Sequence, residues 1–189
     1  DSDPQWSAPV LLLAQLYEKQ EDPQRVEDLC RRAWARNTAA TELANRLLRL
    51  LEEQKRFSEA QQVLQRMQAD ARVTRLWKVR LALRAGDVPR AMEELKLQVA
   101  NDERDVDARI RLAVLVYQQT HDVVQAFRYL DEAQVAAGGA TLALMNARVA
   151  LLKAEGRSAE AQRVHDDYVS SRSDAGAYLL RAVYRAEAG

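Results

Sequence analysis

Cysteine occurs once among the 189 residues, at Cys30, so no internal disulfide forms and the residue says nothing about compartment. Six glycines and four prolines are too few for the turns of a β-sandwich or barrel. With only two phenylalanines, much of the core has to come from Leu, Val and Ala. Two histidines and the one cysteine leave too few ligands for a zinc site. Lys+Arg and Asp+Glu both number 28, which leaves no basic surplus for neutralising phosphates and argues against a nucleic-acid partner. The longest strongly apolar run near the start, Pro9 to Leu13, is too short for a signal segment or a membrane span, so direct membrane insertion is not expected. No GxSxG, P-loop, GxGxxG, HExxH or CxxC pattern is present. No catalytic residue, cofactor or metal is therefore expected, and the chain reads as a non-enzyme. What remains, 48% hydrophobic and 30% charged residues, excludes wholesale disorder and is the composition of a helical protein.

The chain repeats itself. A small residue recurs early in alternate helical segments at Val26, Ala60, Ala91, Ala126 and Ala161, with spacings of 34, 31, 35 and 35. Around it, Tyr17 aligns with Leu51, Cys30 with Leu64 and Ala33 with Met67. Each unit reads as two amphipathic helices; Val10, Leu13, Ala14 and Tyr17 make one face, as do Ala44, Leu47, Leu48 and Leu51, and Ile110, Ala113, Val114 and Tyr117. A small residue lets the paired helices approach closely, so leucine at Ala126 would overpack them. The short spacing of 31 suggests a trimmed loop between the second and third units. Asp22-Pro23 reads as a helix cap and first position, and Ser58 with Gln61 as a capping box. Gly86 and Gly156 stand where a first helix ends in a left-handed residue, His121 takes that place in the fourth unit, and Gly138-Gly139 marks an ordinary turn between units.

Helix-turn-helix units near 34 residues, with Tyr or Leu late in the first helix, "GD" or "DP" in the turn and Ala early in the second, resemble tetratricopeptide repeats. The resemblance covers roughly residues 7 to 189 and implies an all-α, right-handed α-solenoid of stacked antiparallel helix pairs, about five and a half repeats long. The whole chain, 1–189, is expected to be one solenoid segment with repeats at approximately 7–40, 41–72, 73–106, 107–141 and 142–175 and a half repeat at 176–189. The departures are Val26 at the small position of the first unit, and Arg80 and Gln98 in the third where small residues are usual. The start at Asp1 reads as a removed upstream piece or a cut, and the "GAYLLRAVYRAEAG" end as a cut from a larger repeat protein or a lone capping helix, its apolar residues favouring the cut. The Ala, Arg, Leu and Val usage has a bacterial character, and no compartment is read.

Three features invite sharper chemistry and are better read without it. Asp102, Glu103, Asp105 and Asp107 lack the turn glycine of a calcium loop and read as a solvated connection. His165, beside Asp166 and Asp167, has no nucleophile accompanying it, and Cys30 falls at the equivalent core position of the first unit.

The resemblance further implies that first helices line a concave groove. Its inward positions include Asn45, Arg49 and Glu52 in the second unit, Trp77, Arg80 and Arg84 in the third, Arg111, Leu115 and Gln118 in the fourth, Asn146 and Lys153 in the fifth, and Arg181 and Tyr184 beyond. The chaperone-tail clamp known in some members would need Leu11 and Gln15 to be Lys and Asn, and they are not. Arg, Asn and Trp are the types that hold an extended peptide. The groove set for partner binding is thus Asn45, Arg49, Trp77, Arg80, Arg84, Arg111, Gln118, Asn146 and Lys153. Glu52 is the lone acid expected among Arg49, Arg80, Arg84 and Arg111, so the partner should be a protein or peptide segment bearing carboxylates, with Trp77 as its apolar contact. Arg80 and Arg84 are expected to face solvent, so that reversing their charge would leave the fold intact. The alternative is a spacer segment of a multi-repeat envelope or secretion-assembly protein, associating with itself through terminal repeats.

Overall fold

The computed structural model describes residues 7–36 and 40–171. Among them lie ten α-helices and no strand: α1 (Ser7–Lys19), α2 (Pro23–Arg36), α3 (Thr41–Glu53), α4 (Phe57–Arg66), α5 (Ala71–Arg84), α6 (Val88–Asn101), α7 (Val106–Thr120), α8 (Val123–Ala136), α9 (Leu142–Ala154) and α10 (Ser158–Ser170). The fold is an all-α helical repeat. The half repeat expected over 176–189, with Arg181 and Tyr184, lies outside the described residues. The helices group into two compact units, Asp1–Glu94 and Leu95–Gly189, which divide within α6.

The first unit is organised around α3. Leu43, Ala44, Leu47, Leu48 and Leu51 fall on one stripe at helical spacing and are fully buried. They pack with Ala14 of α1, Val26, Cys30 and Trp34 of α2, Ala60 and Leu64 of α4, and Trp77 and Leu81 of α5. Cys30 is a core hydrophobe; burial pushes its thiol up to about 11. The second unit uses α9 on two sides. Leu144, Ala147 and Leu151 join Ala113, Ala126, Leu130 and Ala133 from α7 and α8. Met145, Val149 and Leu152 join Ala161, Tyr168 and Val169 of α10. Two buried faces explain why α9 is apolar nearly all round. Val26, Ala60, Ala91, Ala126 and Ala161 are each fully buried, so the recurring small residue marks a tight helix contact throughout.

The turns inside the pairs keep the same measure. Glu21 (φ 57°), Lys55 (59°), Gly86 (77°), His121 (53°) and Gly156 (72°) all adopt the left-handed conformation that closes the first helix of each pair. Asp22, Asp87 and Asp122 then cap the next helix, accepting from the backbone N–H of Arg25, Arg90 and Gln125 at 3.1, 3.2 and 2.9 Å. Two expectations need correction here. The spacing of 31 does not come from a trimmed loop: α4 has only 10 residues, against 14 in α2 and α6, while the following connection, 67–70, is as long as 102–105. Nor does Ser58 cap α4; the cap position is Arg56, which makes no side-chain cap bond. The connection 102–105 has a structural task, since Asp105 Oδ1 caps the Ala108 N–H at 2.9 Å and its Oδ2 accepts from buried Gln98 Nε2 at 2.6 Å. That bond accounts for the large polar residue at position 98.

Candidate functional site

In the first unit, α3 and α5 lie side by side, and their Asn45, Arg49, Val73, Leu76, Trp77 and Arg80 line a concavity of about 220 Å³. Four of the six belong to the groove set read from the sequence, while Val73 and Leu76 were not anticipated. Helical spacing puts Asn45 and Arg49 one turn apart on α3, and Val73, Leu76, Trp77 and Arg80 on one face of α5.

The polar groups are held in place. Trp77 Nε1 donates to Asn45 Oδ1 at 2.8 Å. An indole nitrogen only donates, so the amide oxygen of Asn45 is committed to it and the amide NH₂ is left to donate elsewhere. The Arg80 guanidinium lies over the Trp77 ring, 5.0 Å from its centroid. Arg80 Nε donates to Glu52 Oε1 at 2.9 Å and its Nη2 lies 2.7 Å from Oε2, while Arg84 Nε donates to the same Oε1 at 3.0 Å. Burial alone would raise the pKa of Glu52; the hydrogen bonds and charges of Arg80 and Arg84 outweigh it and hold the carboxyl below its usual range. Arg49 is exposed and forms no ion pair among the described residues.

Three expectations change. Trp77 is not an open apolar platform: it is 7% exposed and sits in the core cluster, leaving little of its ring to line the concavity. Arg80 and Arg84 are half-exposed to exposed, at 51% and 67% of the side chain, but both serve a Glu52 side chain that is 3% exposed. Reversing their charge would surround a buried carboxylate with two more, so it would not leave the fold untouched. The third concerns the arginines as a set. Arg80 and Arg84 share Glu52, and Arg111 pairs with Asp107 at 2.9 Å, so among the four only Arg49 has no ion pair with a described residue. No local sequence pattern announces the Glu52 hub, because its partners lie 28 and 32 residues away.

In the second unit, Arg111 and Gln118 are exposed on α7, and Asn146 and Lys153 on α9. Leu115, expected to face inward, is buried in the core instead. Tyr117 of α7 donates through its hydroxyl to Glu155 Oε1 at 2.7 Å. His165 is buried on α10, with Nδ1 3.6 Å from Asp166 Oδ1. No helix among the described residues is long and apolar enough to cross a membrane.

A sequence model of the tetratricopeptide repeat family matches residues 18–81, which hold the concavity. No curated protein sequence matches the chain. Among solved structures, pilF of Pseudomonas aeruginosa is similar at 19% identity and a TM-score of 0.59, over 98% of this chain and 83% of that one. A tetratricopeptide repeat protein from Parabacteroides merdae is 16% identical with a TM-score of 0.66, over 94% and 72%. PilW, a widely conserved type IV pilus biogenesis factor, is 18% identical with a TM-score of 0.62, over 89% and 79%. At these identities the likeness is one of fold.

Proposed function

We propose that the chain, whose residues 18–81 match the tetratricopeptide repeat family, is a scaffold for protein–protein interaction that holds an acidic peptide segment of its partner in the concavity between α3 and α5. The observation that carries this reading is the arrangement of donors over an apolar floor. Asn45 offers its amide NH₂ and Arg49 a guanidinium with no ion pair among the described residues, above Val73 and Leu76. Such a site takes a main-chain carbonyl on the asparagine, a carboxylate on Arg49 and an aliphatic side chain on the floor. Arg80 and Arg84 belong to the site through the field they make around Glu52 more than through open contacts. Arg111, Gln118, Asn146 and Lys153 offer a separate polar surface on the other unit.

The test is a selection of phage-displayed peptides on the immobilised chain. Selected peptides should pair Asp or Glu with an aliphatic residue, and their binding should weaken as salt rises through the range where the screening length falls to about 10 Å. Arg49→Glu should weaken them by about tenfold or more with the helical signal unchanged. Selection of peptides without acids, or equal binding to Arg49→Glu, would refute the reading.

A spacer role in envelope assembly stands second. PilW, similar in fold, is described as a pilus biogenesis factor. Concentration-dependent self-association of the chain, with no peptide selected, would favour that role.

A further inference from the structure

In the first unit, two junctions between the second helices of successive pairs differ: α2 and α4 are bridged by ion pairs, whereas α4 and α6 border a pocket. The α2–α4 junction is clasped by four charges. Arg56 reaches Glu27 Oε2 at 2.7 Å and Glu59 at 2.6 and 2.7 Å, while Arg31 reaches Glu27 Oε1 at 2.8 Å and Glu59 Oε2 at 2.7 Å. The repeat spacing carries these positions to the next junction, between α4 and α6: Glu27 becomes Gln61, Arg31 becomes Gln65, Arg56 becomes Asp87 and Glu59 becomes Arg90. No ion pair bridges α4 and α6 among the described residues: Gln61 and Gln65 carry no charge, and Asp87 caps its own helix.

In place of the clasp is a pocket of about 410 Å³, within the range of ligand sites. Its walls include Gln61, Gln65 and Arg90, and its apolar lining is Leu64, Met67 and Leu81, all buried side chains. The ten-residue α4 contributes to the opening, since the helix stops at Arg66 and Met67 already has an extended backbone. Lys78 and Glu94 also line the pocket and compensate each other at 3.6 Å. Arg90 is exposed and has no ion pair among the described residues, so the pocket carries one net positive charge.

We propose that this pocket, walled by α4, α5 and α6, is a second docking site for a partner segment that seats an aliphatic side chain against the apolar edge left by Leu64 and Met67 and a neighbouring carboxylate on Arg90. The carboxylate supplies the anion that Glu59 and Glu27 provide one junction earlier, where two arginines meet two acids in the equivalent space. Gln61 and Gln65 bond the segment's main chain with donors and acceptors that carry no charge.

The experiment uses methyl-labelled protein, with the blocked peptide Ac-Leu-Glu-Leu-NH₂ as probe and the Met67 methyl resonance as reporter. The chain has three methionines, and Met145, in the other unit, serves as the internal control. The expected result is a saturable shift of Met67 alone, weakened about tenfold with Ac-Leu-Gln-Leu-NH₂ and with Arg90→Gln. The double variant Gln65→Arg/Arg90→Glu rebuilds the Arg31–Glu59 pair at this junction and should abolish the shift while retaining the helical signal. Arg49→Glu should leave the shift unchanged, which separates this site from the concavity between α3 and α5. Equal binding of the glutamine peptide, or persistence of the shift in Arg90→Gln, would overturn the proposal. A shift produced by octanoate but not by the peptide would also overturn it, in favour of a free amphipathic anion.

Discussion

The two units solve one problem with opposite chemistry. In the first, the arginine at the cap of α4, Arg56, reaches back to Glu27 on α2. In the second, Arg157 holds the same place before α10, and the residue aligned with Glu27 is Phe127 on α8, whose ring lies 5.9 Å from the guanidinium. Arg56 and Arg157 both also pair with the acid three residues on, Glu59 and Glu160. The cation is constant while its partner across the junction changes from a carboxylate to an aromatic face. The first unit also buries Glu52 beneath Arg80 and Arg84. Among the described residues of the second unit no carboxylate is buried; its buried polar residues are Gln98, Arg109 and His165. Charge sensitivity should therefore be concentrated in one half of the chain, although both halves share a fold.

All three tryptophans, Trp6, Trp34 and Trp77, precede residue 95, so tryptophan fluorescence reports the first unit while circular dichroism reports both. The largest effect should come from Arg80→Glu/Arg84→Glu, which leaves buried Glu52 among carboxylates and should cost the first unit about 3 kcal/mol, read as an early fluorescence transition in urea. Acid should act next. Burial would raise Glu27 and Glu52, but their arginines lower both below the ordinary value of 4.5. A depressed folded pKa means stability fully present above about pH 5 and lost as pH falls through the folded value. Fluorescence should thus change at higher pH than the remaining circular-dichroism signal, and coincident transitions would break the comparison. Exchanging the partners sharpens it further. Phe127→Glu half-buries a carboxylate with one arginine to serve it and should cost about 2 kcal/mol, whereas Glu27→Phe keeps a ring for Arg56 and should cost about 1 kcal/mol while reducing acid sensitivity. Smallest is the turn. Lys55 is left-handed at φ 59°, so Lys55→Gly should stabilise by about 1 kcal/mol, and Gly156→Ala, at φ 72°, should destabilise by a similar amount.

The helices were legible because their signal is periodic and local. The five small positions and the stripe from Leu43 to Leu51 are written at helical spacing, and each is buried. The turn residues were half legible: Gly86, His121 and Gly156 stand out, whereas Glu21 and Lys55 carry no mark of a left-handed backbone. Of the nine groove residues read from the sequence, Asn45, Arg49, Trp77 and Arg80 meet at the concavity, but the pairing among them was not legible. Glu52 finds Arg80 and Arg84 across a repeat, and Trp77 turns its nitrogen to Asn45, and both depend on tertiary approach. Helical spacing places a side chain on a face; it does not say whether a neighbouring helix covers it. That is why Trp77 reads as surface and sits in the core.

The unclasped junction also has a mechanical meaning. Four charges tie α2 to α4, and no ion pair ties α4 to α6 among the described residues. Under tension along the chain, the first unit should part between α4 and α6 before it parts between α2 and α4, because a junction held by packing alone has no short, directional bonds to resist shear. Transplanting the four-residue cassette 56–59 onto 87–90, together with Gln61→Glu and Gln65→Arg, would move the weak seam elsewhere. A force-extension trace would then record, rupture by rupture, how much strength each clasp lends to an otherwise uniform stack.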